Sequence, residues 1–294
     1  MIVLTGPTGN IGTELLRLLG DDPAAPPYRV AAHDPARVRA RLGSDLPAVA
    51  FDYDDRSTWP AVLEGATSLF LLFPVPSPRT VHTRMLPFID AAVAAGVRHI
   101  VYVSVPGADA GRLVPHNRVE AHLRASGAGY TILRCGFFMQ NLHRAISTHG
   151  VDIVENGELF VPAGRGRTTF LDARDVAEAA RLILADPGAH TGRTYTLTGS
   201  ETLDMDEVAQ TVSAALERPV RYARPGAFRF ASRLLRRGVT WDTVAFLAGV
   251  YTLTRLGRND TVTTDLPKLL GRPATPMAEW ARDHRRVFDT RAWT

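Results

Sequence analysis

The chain has 294 residues, 45% of them hydrophobic and 22% charged, with a formal net charge of +4. These are ordinary values for a globular protein, and they exclude a disordered chain, a fibrous repeat and a membrane bundle. At roughly 150 residues per domain, the length allows two domains or one large domain with an added lobe.

Short apolar runs alternate with helical patterns through the first half, the signature of parallel βα units. Strands are predicted at Ile2–Thr5, Tyr28–Ala32, Ala48–Phe51, Ser68–Phe73, His99–Ser104 and Tyr130–Arg134. Between them, helices are predicted at Ile11–Leu19, Ala36–Leu42, Thr58–Leu63, Val81–Ala95 and Arg118–Ser126. With right-handed crossovers these make a doubly wound parallel sheet of the Rossmann type. The second half is less regular, with strands expected at Leu159–Val161, Thr168–Leu171 and Thr194–Thr198. Helices are expected at Ala173–Ala185, Asp204–Leu216, Phe228–Leu235, Asp242–Leu253 and Pro276–Phe288. The expected division is a nucleotide-binding domain over 1–136, with segments from about 151–200 returning to it in part. A smaller α+β substrate lobe would then occupy most of 137–294.

Of 34 Lys and Arg residues, Lys268 is the only lysine. Any mechanism that needs a lysine must use it. The single cysteine, Cys135, permits no internal disulfide and no cysteine-based zinc site. Nine histidines show no HxxxH or HExxH spacing, so no metal is expected. The densest basic run, Arg218 to Arg237, fits a solvated strand and helix, so nucleic acid is not an expected partner. No apolar run approaches the ~18–20 residues that span a bilayer. The apolar start at Met1 runs at once into a glycine loop with no basic region before it, which points to a cytoplasmic protein.

That loop, Thr5-Gly-Pro-Thr-Gly-Asn-Ile-Gly12, is the strongest motif. Gly6 permits a tight turn, Gly9 lets the backbone approach a pyrophosphate, and Gly12 lets the helix pack closely on the sheet. The helix N-terminus offers unpaired N–H groups and partial positive charge to phosphates. Gly6, Thr8, Gly9, Asn10, Ile11 and Gly12 are therefore candidate dinucleotide ligands. The cofactor's 2′ position is read near the end of the second strand, where the sequence is Ala32-His-Asp-Pro-Ala-Arg37. His33 and Arg37 suit the 2′-phosphate of NADPH. Asp34-Pro35 reads better as a helix cap than as a ribose ligand. NADPH is preferred over NADH. Asp52 is a candidate adenine contact or a turn carboxylate. Phe73, Pro74 and Val75 follow the fourth strand at the sheet's carboxyl edge; Phe73 and Pro74 are assigned to the cofactor and Val75 to the substrate.

These residues resemble the NmrA-like branch of the atypical short-chain dehydrogenase/reductases, along nearly the whole chain. Thr5–Gly12 is similar to the family's TGATGxxG loop, with Pro7 in place of alanine. Asp34–Arg37 resembles its RDPxK element, with His33 in the arginine position. Ala91–Ser104, Gly127–Asn141, Arg167–Val176, Ala185–Gly199 and Thr263–Phe288 resemble later segments. The resemblance implies an NAD(P)-dependent reductase or a cofactor-sensing regulator. It also places Phe137, Phe138, Met139 and Asn141 along the substrate cleft; core packing between lobes is an equal reading of the first three.

Most short-chain reductases protonate the developing alkoxide through a Tyr-x-x-x-Lys pair. Here position 264 is threonine, four residues before Lys268, so the pair is missing. The resemblance puts His116 where NmrA-like members carry lysine and Arg112 where a typical reductase has tyrosine. His116 is a candidate hydrogen-bond or proton donor, since an ordinary imidazole titrates near ~6.5; it could equally be a packed or capping loop residue. Arg112 is expected at the surface. Ser104 is a second catalytic candidate, with a turn or cap role as the plainer reading. Cys135 is expected to be buried, and Ser104, His116 and Asp172 fit no nucleophile-elbow pattern.

The expected function is NADPH-dependent hydride transfer to a quinone or aromatic or polycyclic ketone, as in a ketoreductase of secondary metabolism that tailors polyketides. An activated ketone, or a quinone, whose reduced form is a stabilised phenolate, needs little acid help. The alternatives are an NAD(P)-sensing regulatory protein without catalysis and a non-redox enzyme that uses a nucleotide structurally.

Overall fold

The computed structural model describes residues 1–74, 76–111, 114–142 and 149–288. The chain divides into two compact units. One comprises Met1–Cys135, Ala173–Leu197 and Lys268–Gly271; the other comprises Gly136–Asp172, Thr198–Pro267 and Arg272–Thr294. Within the stretch expected to return in part to the first unit, Ala173–Leu197 groups with it and 151–172 with the second.

The first unit is built on seven parallel strands. They are β1 (Ile2–Thr5), β2 (Tyr28–Ala32), β3 (Ala48–Ala50), β4 (Ser68–Leu71), β5 (His99–Ser104), β6 (Gly129–Cys135) and β10 (Arg193–Leu197). Their spatial order is β10-β6-β5-β4-β1-β2-β3. β1, β4 and β5 are buried along their whole length, which is why they read as unbroken apolar runs rather than alternating ones. Chain order reverses on either side of β1, between β2 and β4, so the crevice past the carboxyl ends of β1 and β4 is the switch point where such sheets take ligands. Thr5 ties those two ends together: its hydroxyl donates to the Phe70 carbonyl (3.1 Å) and accepts from the Leu72 amide (2.9 Å).

The connecting helices are α1 (Asn10–Asp21), α2 (Pro35–Leu42), α3 (Trp59–Leu63), α4 (Pro78–Thr80), α5 (Leu86–Ala94) and α6 (Pro115–Ala125), followed later by α8 (Ala173–Ala185) and the short α9 (Pro187–His190). Ile11, Leu15, Leu16 and Leu19 recur at helical spacing and bury the inner face of α1, which packs with α8. On α5 and α6, Phe88, Ile89, Ala92, Val119 and Leu123 join the sheet's core together with Trp59 and Phe51.

Three elements depart from expectation in ways that bear on the site. β4 stops at Leu71, so Phe73 lies in the following loop. The helix expected over Val81–Ala95 carries a π turn at Val81–Met85 before α5 begins. α6 starts at Pro115 rather than Arg118, because proline at the first helical position costs no hydrogen bond. His116 is therefore a helical residue, not a loop histidine.

The second unit holds α7 (His149–Asn156), α10 (Met205–Leu216), α11 (Ala227–Arg236), α12 (Trp241–Arg255), α13 (Asp265–Leu270, which runs on into the first unit) and α14 (Met277–Asp283). β7 (Phe137–Phe138), β9 (Thr168–Leu171) and β11 (Thr202–Leu203) form one small sheet; β8 (Glu158–Leu159) and β12 (Arg221–Tyr222) form another. α10 opens on a capping box: the Asp204 carboxylate accepts from the Asp206 and Glu207 amides, and Glu207 accepts from the Asp204 amide. The core gathers Met139, Phe160, Phe170, Val208, Phe230, Tyr251 and Trp280. Asp152, 1% exposed at its side chain, is neutralised by Arg233 and Arg237 at 2.7 and 2.8 Å. The strand expected at Leu159–Val161 is shorter and starts one residue earlier, and the expected last helix breaks at His284 into a final turn, Arg285–Phe288. Among the described residues, no helix is long and apolar enough to cross a membrane.

Candidate active site

The glycine loop leaves β1 through Gly6, whose φ of +65° is the left-handed conformation that glycine adopts freely. The Gly9 amide donates to the Gly6 carbonyl (3.1 Å), closing the turn. Gly9 is then the N-cap of α1, with no side chain to satisfy the helix's first amides and no acidic residue in its first turn. A Cβ on Gly12 would run into the backbone carbonyl of Gly6, and one on Gly9 would stand 3.2 Å from the same oxygen. Bare backbone, uncapped amides and the positive end of a helix dipole together fit an anionic diphosphate. Asn10, Ile11 and Gly12 form the first turn, with Ile11 buried beneath it, and Thr8 lies in the loop.

At the end of β2, Asp34 caps α2: its carboxylate accepts from the Arg37 amide at 2.9 Å, with Pro35 at the first helical position. The cap reading of Asp34 is thus seen directly. His33 is 84% exposed at its side chain, and its Nδ1 stands 3.4 Å from Asp52 Oδ2. Arg37 is exposed, and its guanidinium makes no ion pair among the described residues. Asp52 lies in a turn after β3, accepting from the Asp54 amide at 2.9 Å. His33 and Asp52 are thus brought together, with Arg37 three residues beyond the cap.

Past β4, Phe73 is buried and meets the His116 ring edge-on at 5.2 Å between centroids, while Pro74 is exposed. Val75 and Arg112 lie outside the described residues. His116 sits in the first turn of α6, 8% exposed, and its Nδ1 shares a 2.7 Å hydrogen bond with the Tyr102 hydroxyl of β5. Burial pushes the imidazole down to about 4, against a smaller opposing pull from Glu120. The value near 6.5 expected for a free imidazole is therefore corrected: the ring is neutral at neutral pH, because its surroundings do not solvate a cation.

Ser104, at the end of β5, is 1% exposed, and its hydroxyl donates to Glu120 Oε1 at 2.7 Å. Glu120 also accepts from Arg134 Nε (3.0 Å) and Nη2 (2.7 Å) and from Arg124 (3.0 Å). Burial alone would raise the Glu120 carboxyl, but these hydrogen bonds outweigh it and hold it below the ordinary range. Sequence reasoning missed Tyr102, Glu120 and Arg134. The available signal was the spacing of His116 and Glu120, four residues apart on one helical face. Cys135 is buried, and burial raises its thiol well above the usual range, so it is no thiolate.

In the second unit, Phe137 and Phe138 lie on β7, paired with Phe170 and Leu171 of β9. Phe137 is half-buried, with Phe170 at 5.4 Å and Tyr251 at 6.0 Å. Met139 is 1% exposed and belongs to that unit's own core. Asn141 is half-buried in the turn Met139–Leu142. Lys268 lies in α13.

The description of the NmrA-like family matches residues 1–230. The chain belongs to the NmrA-like family. This NmrA-like protein is 33% identical to an NAD(P)H azoreductase of Xenophilus azovorans, over 98% of its own length and 99% of the relative's. The crystal structure of an NADPH-dependent quinone oxidoreductase from Escherichia coli, complexed with NADPH, superposes with a TM-score of 0.83 at 26% identity, covering 96% of this chain and 99% of that one. Triphenylmethane reductase of Citrobacter sp., complexed with NADP(H), shares the fold at a TM-score of 0.83 and 23% identity, covering 97% and 99%.

Proposed function

We propose that this NAD(P)H-dependent oxidoreductase uses NADPH to reduce an aromatic, conjugated acceptor, with a quinone or polycyclic ketone as the substrate class. The observation that carries the reading is the pairing of a bare, uncapped phosphate cradle at Gly6–Gly12 with a neutral imidazole, His116, in place of a Tyr-x-x-x-Lys acid. When bound, NADPH supplies the hydride.

The first-turn amides of α1 hold the pyrophosphate, and Arg37 with His33 faces the 2′-phosphate. Asp52 keeps His33 in place and borders the adenine. Phe73 and Pro74 border the nicotinamide end. His116 donates a hydrogen bond to the acceptor's oxygen, but it is no store of acid, since its imidazolium is scarce at neutral pH. The proton that completes the reduction comes from solvent. This favours acceptors whose reduced oxygen is a stabilised phenolate, because hydride arrival then needs no concerted protonation. Phe137, Phe138 and Asn141 keep the substrate assignment that the family resemblance gives them, and Met139 packs in the core of their own unit. A cytoplasmic role in secondary metabolism, tailoring aromatic polyketides, suits this acceptor class.

Two measurements test the reading. Fluorescence titration should show tighter binding of NADPH than NADH. NADPH oxidation should then appear with quinones and polycyclic ketones and be weak with simple aliphatic ketones. Binding without turnover of any acceptor would instead favour a cofactor-sensing regulator.

A further inference from the structure

We propose that Tyr102 is a positioning residue: its hydroxyl donates to Nδ1 of His116 and so fixes the imidazole in the tautomer that carries its hydrogen on Nε2, the edge left to donate to the bound acceptor. The inference rests on the reductase reading for its purpose, but its geometry stands apart from any activity.

The direction of the hydrogen bond follows from what else each group can do. Tyr102 is fully buried, and His116 Nδ1 is its hydroxyl's one hydrogen-bond partner among the described residues. If Nδ1 were the donor, the phenolic hydrogen would be left buried without an acceptor, which costs about 1–3 kcal/mol. With Tyr102 donating, both groups are satisfied. A neutral imidazole carries one hydrogen, so Nδ1 as acceptor places it on Nε2. Nε2 makes no hydrogen bond among the described residues, yet it is not sealed in, unlike Nδ1 of His149 in the second unit. The ring cannot swing away easily: Phe73 meets it edge-on, and its backbone is held in the first turn of α6.

The surrounding charges keep the pair in this state. Glu120, one turn along α6, is the charge that acts on both rings, and it is itself held by Arg134, Arg124 and Ser104. Tyr53, after β3, acts on Tyr102 as well. Burial first, then the carboxylate of Glu120 and then Tyr53, raise the Tyr102 hydroxyl far above its ordinary range. Tyr102 therefore keeps its proton and does not pass it to His116. The device is a neutral hydrogen-bond donor rather than a proton relay, the way a neutral histidine polarises a carbonyl in other enzymes.

The experiment reads the tautomer directly, by ¹⁵N side-chain NMR of the whole protein at pH 7, with and without NADPH. The His116 signals are assigned by their loss in His116→Gln. The expected spectrum shows a bare Nδ1 and a protonated Nε2, and Tyr102→Phe converts it to a mixture of tautomers. A protonated Nδ1 in the wild type, or an unchanged spectrum in Tyr102→Phe, overturns the proposal even if the variant loses activity. In turnover with a quinone, Tyr102→Phe should lower kcat about tenfold with NADPH affinity unchanged, and combining it with His116→Gln should cost no more than His116→Gln alone; additive losses would also overturn it. A protein that oxidises no NADPH but shows the expected spectrum refutes the reductase reading and leaves the tautomer assignment standing.

Discussion

Glu120 on α6 and Arg134 on β6 form a two-pronged ion pair, Nε to Oε1 at 3.0 Å and Nη2 to Oε2 at 2.7 Å, with the carboxylate 1% exposed. The pair fastens α6 to β6 and so holds the helix that carries His116. Arg134 also reaches Asp109 at 2.8 Å. Removing one partner of such a pair leaves a buried charge, whereas replacing both by apolar groups is far less costly. Arg134→Met should therefore lower stability by about 3 kcal/mol in urea denaturation, and adding Glu120→Leu should restore much of it. A single variant with wild-type stability would show that Arg124 alone satisfies Glu120.

Gly12 tests the phosphate cradle. A methyl group there meets the carbonyl of Gly6, backbone that cannot step aside without moving the loop. Gly12→Ala should raise the NADPH Kd by more than tenfold and abolish the shift in Tm that NADPH produces. Gly226, the N-cap of α11, has open space where a Cβ would stand. Gly226→Ala should leave NADPH binding as it is.

Arg37 should decide the cofactor. It is an exposed cation without an ion pair among the described residues, beside a cap that keeps Asp34 turned to its own helix. Charge-assisted hydrogen bonds contribute about 1.5–3 kcal/mol, or roughly tenfold and upward in affinity. Arg37→Ala should weaken NADPH by at least that factor and leave NADH unchanged. Equal loss for both cofactors would place the 2′-phosphate elsewhere.

Acid should destabilise the fold before most carboxylates titrate. Burial lowers His116 and His149 to about 4 in the folded chain, against about 6.5 unfolded. The unfolded chain then binds more protons between these values, so stability is full above about 6.5 and falls as pH drops toward 4. At 1.36 kcal/mol per unit, each histidine contributes about 3 kcal/mol over that window. Urea midpoints at pH 7.5 and 5 measure the slope, and His116→Gln should flatten it in part. Below about 4.5 the lowered carboxylates, Glu120 and Glu158 among them, add a further loss.

Much of the first unit was legible because its signals are local. Unbroken apolar runs such as His99–Ser104 occur where both faces of a strand are covered, and the glycines at 6, 9 and 12 mark a turn that other residues cannot make. Asp34-Pro35 announced its own cap. The second unit was harder. Strands of two residues, such as β7 and β12, carry too little pattern to register, and they form because a partner strand is near rather than because the segment prefers it. α7 escaped notice for a similar reason: Asp152 and His149 sit on its buried face, where a pattern reading expects apolar residues. They are tolerated there because Arg233 of α11 and Arg237 just past its end pair with Asp152, and Tyr251 of α12 hydrogen-bonds His149 Nε2.

The sequence by itself determined the sheet, the phosphate loop and the absence of a Tyr-x-x-x-Lys pair, which depend on spacing and residue type along one stretch of chain; the family resemblance nominated His116. Only the tertiary structure decided what His116 is. Tyr102 comes to it from β5 and Phe73 from the loop after β4, and burial among them takes away the solvation an imidazolium needs. The charge state and tautomer of a side chain belong to its surroundings, and Tyr102 stands 14 positions before the ring it holds.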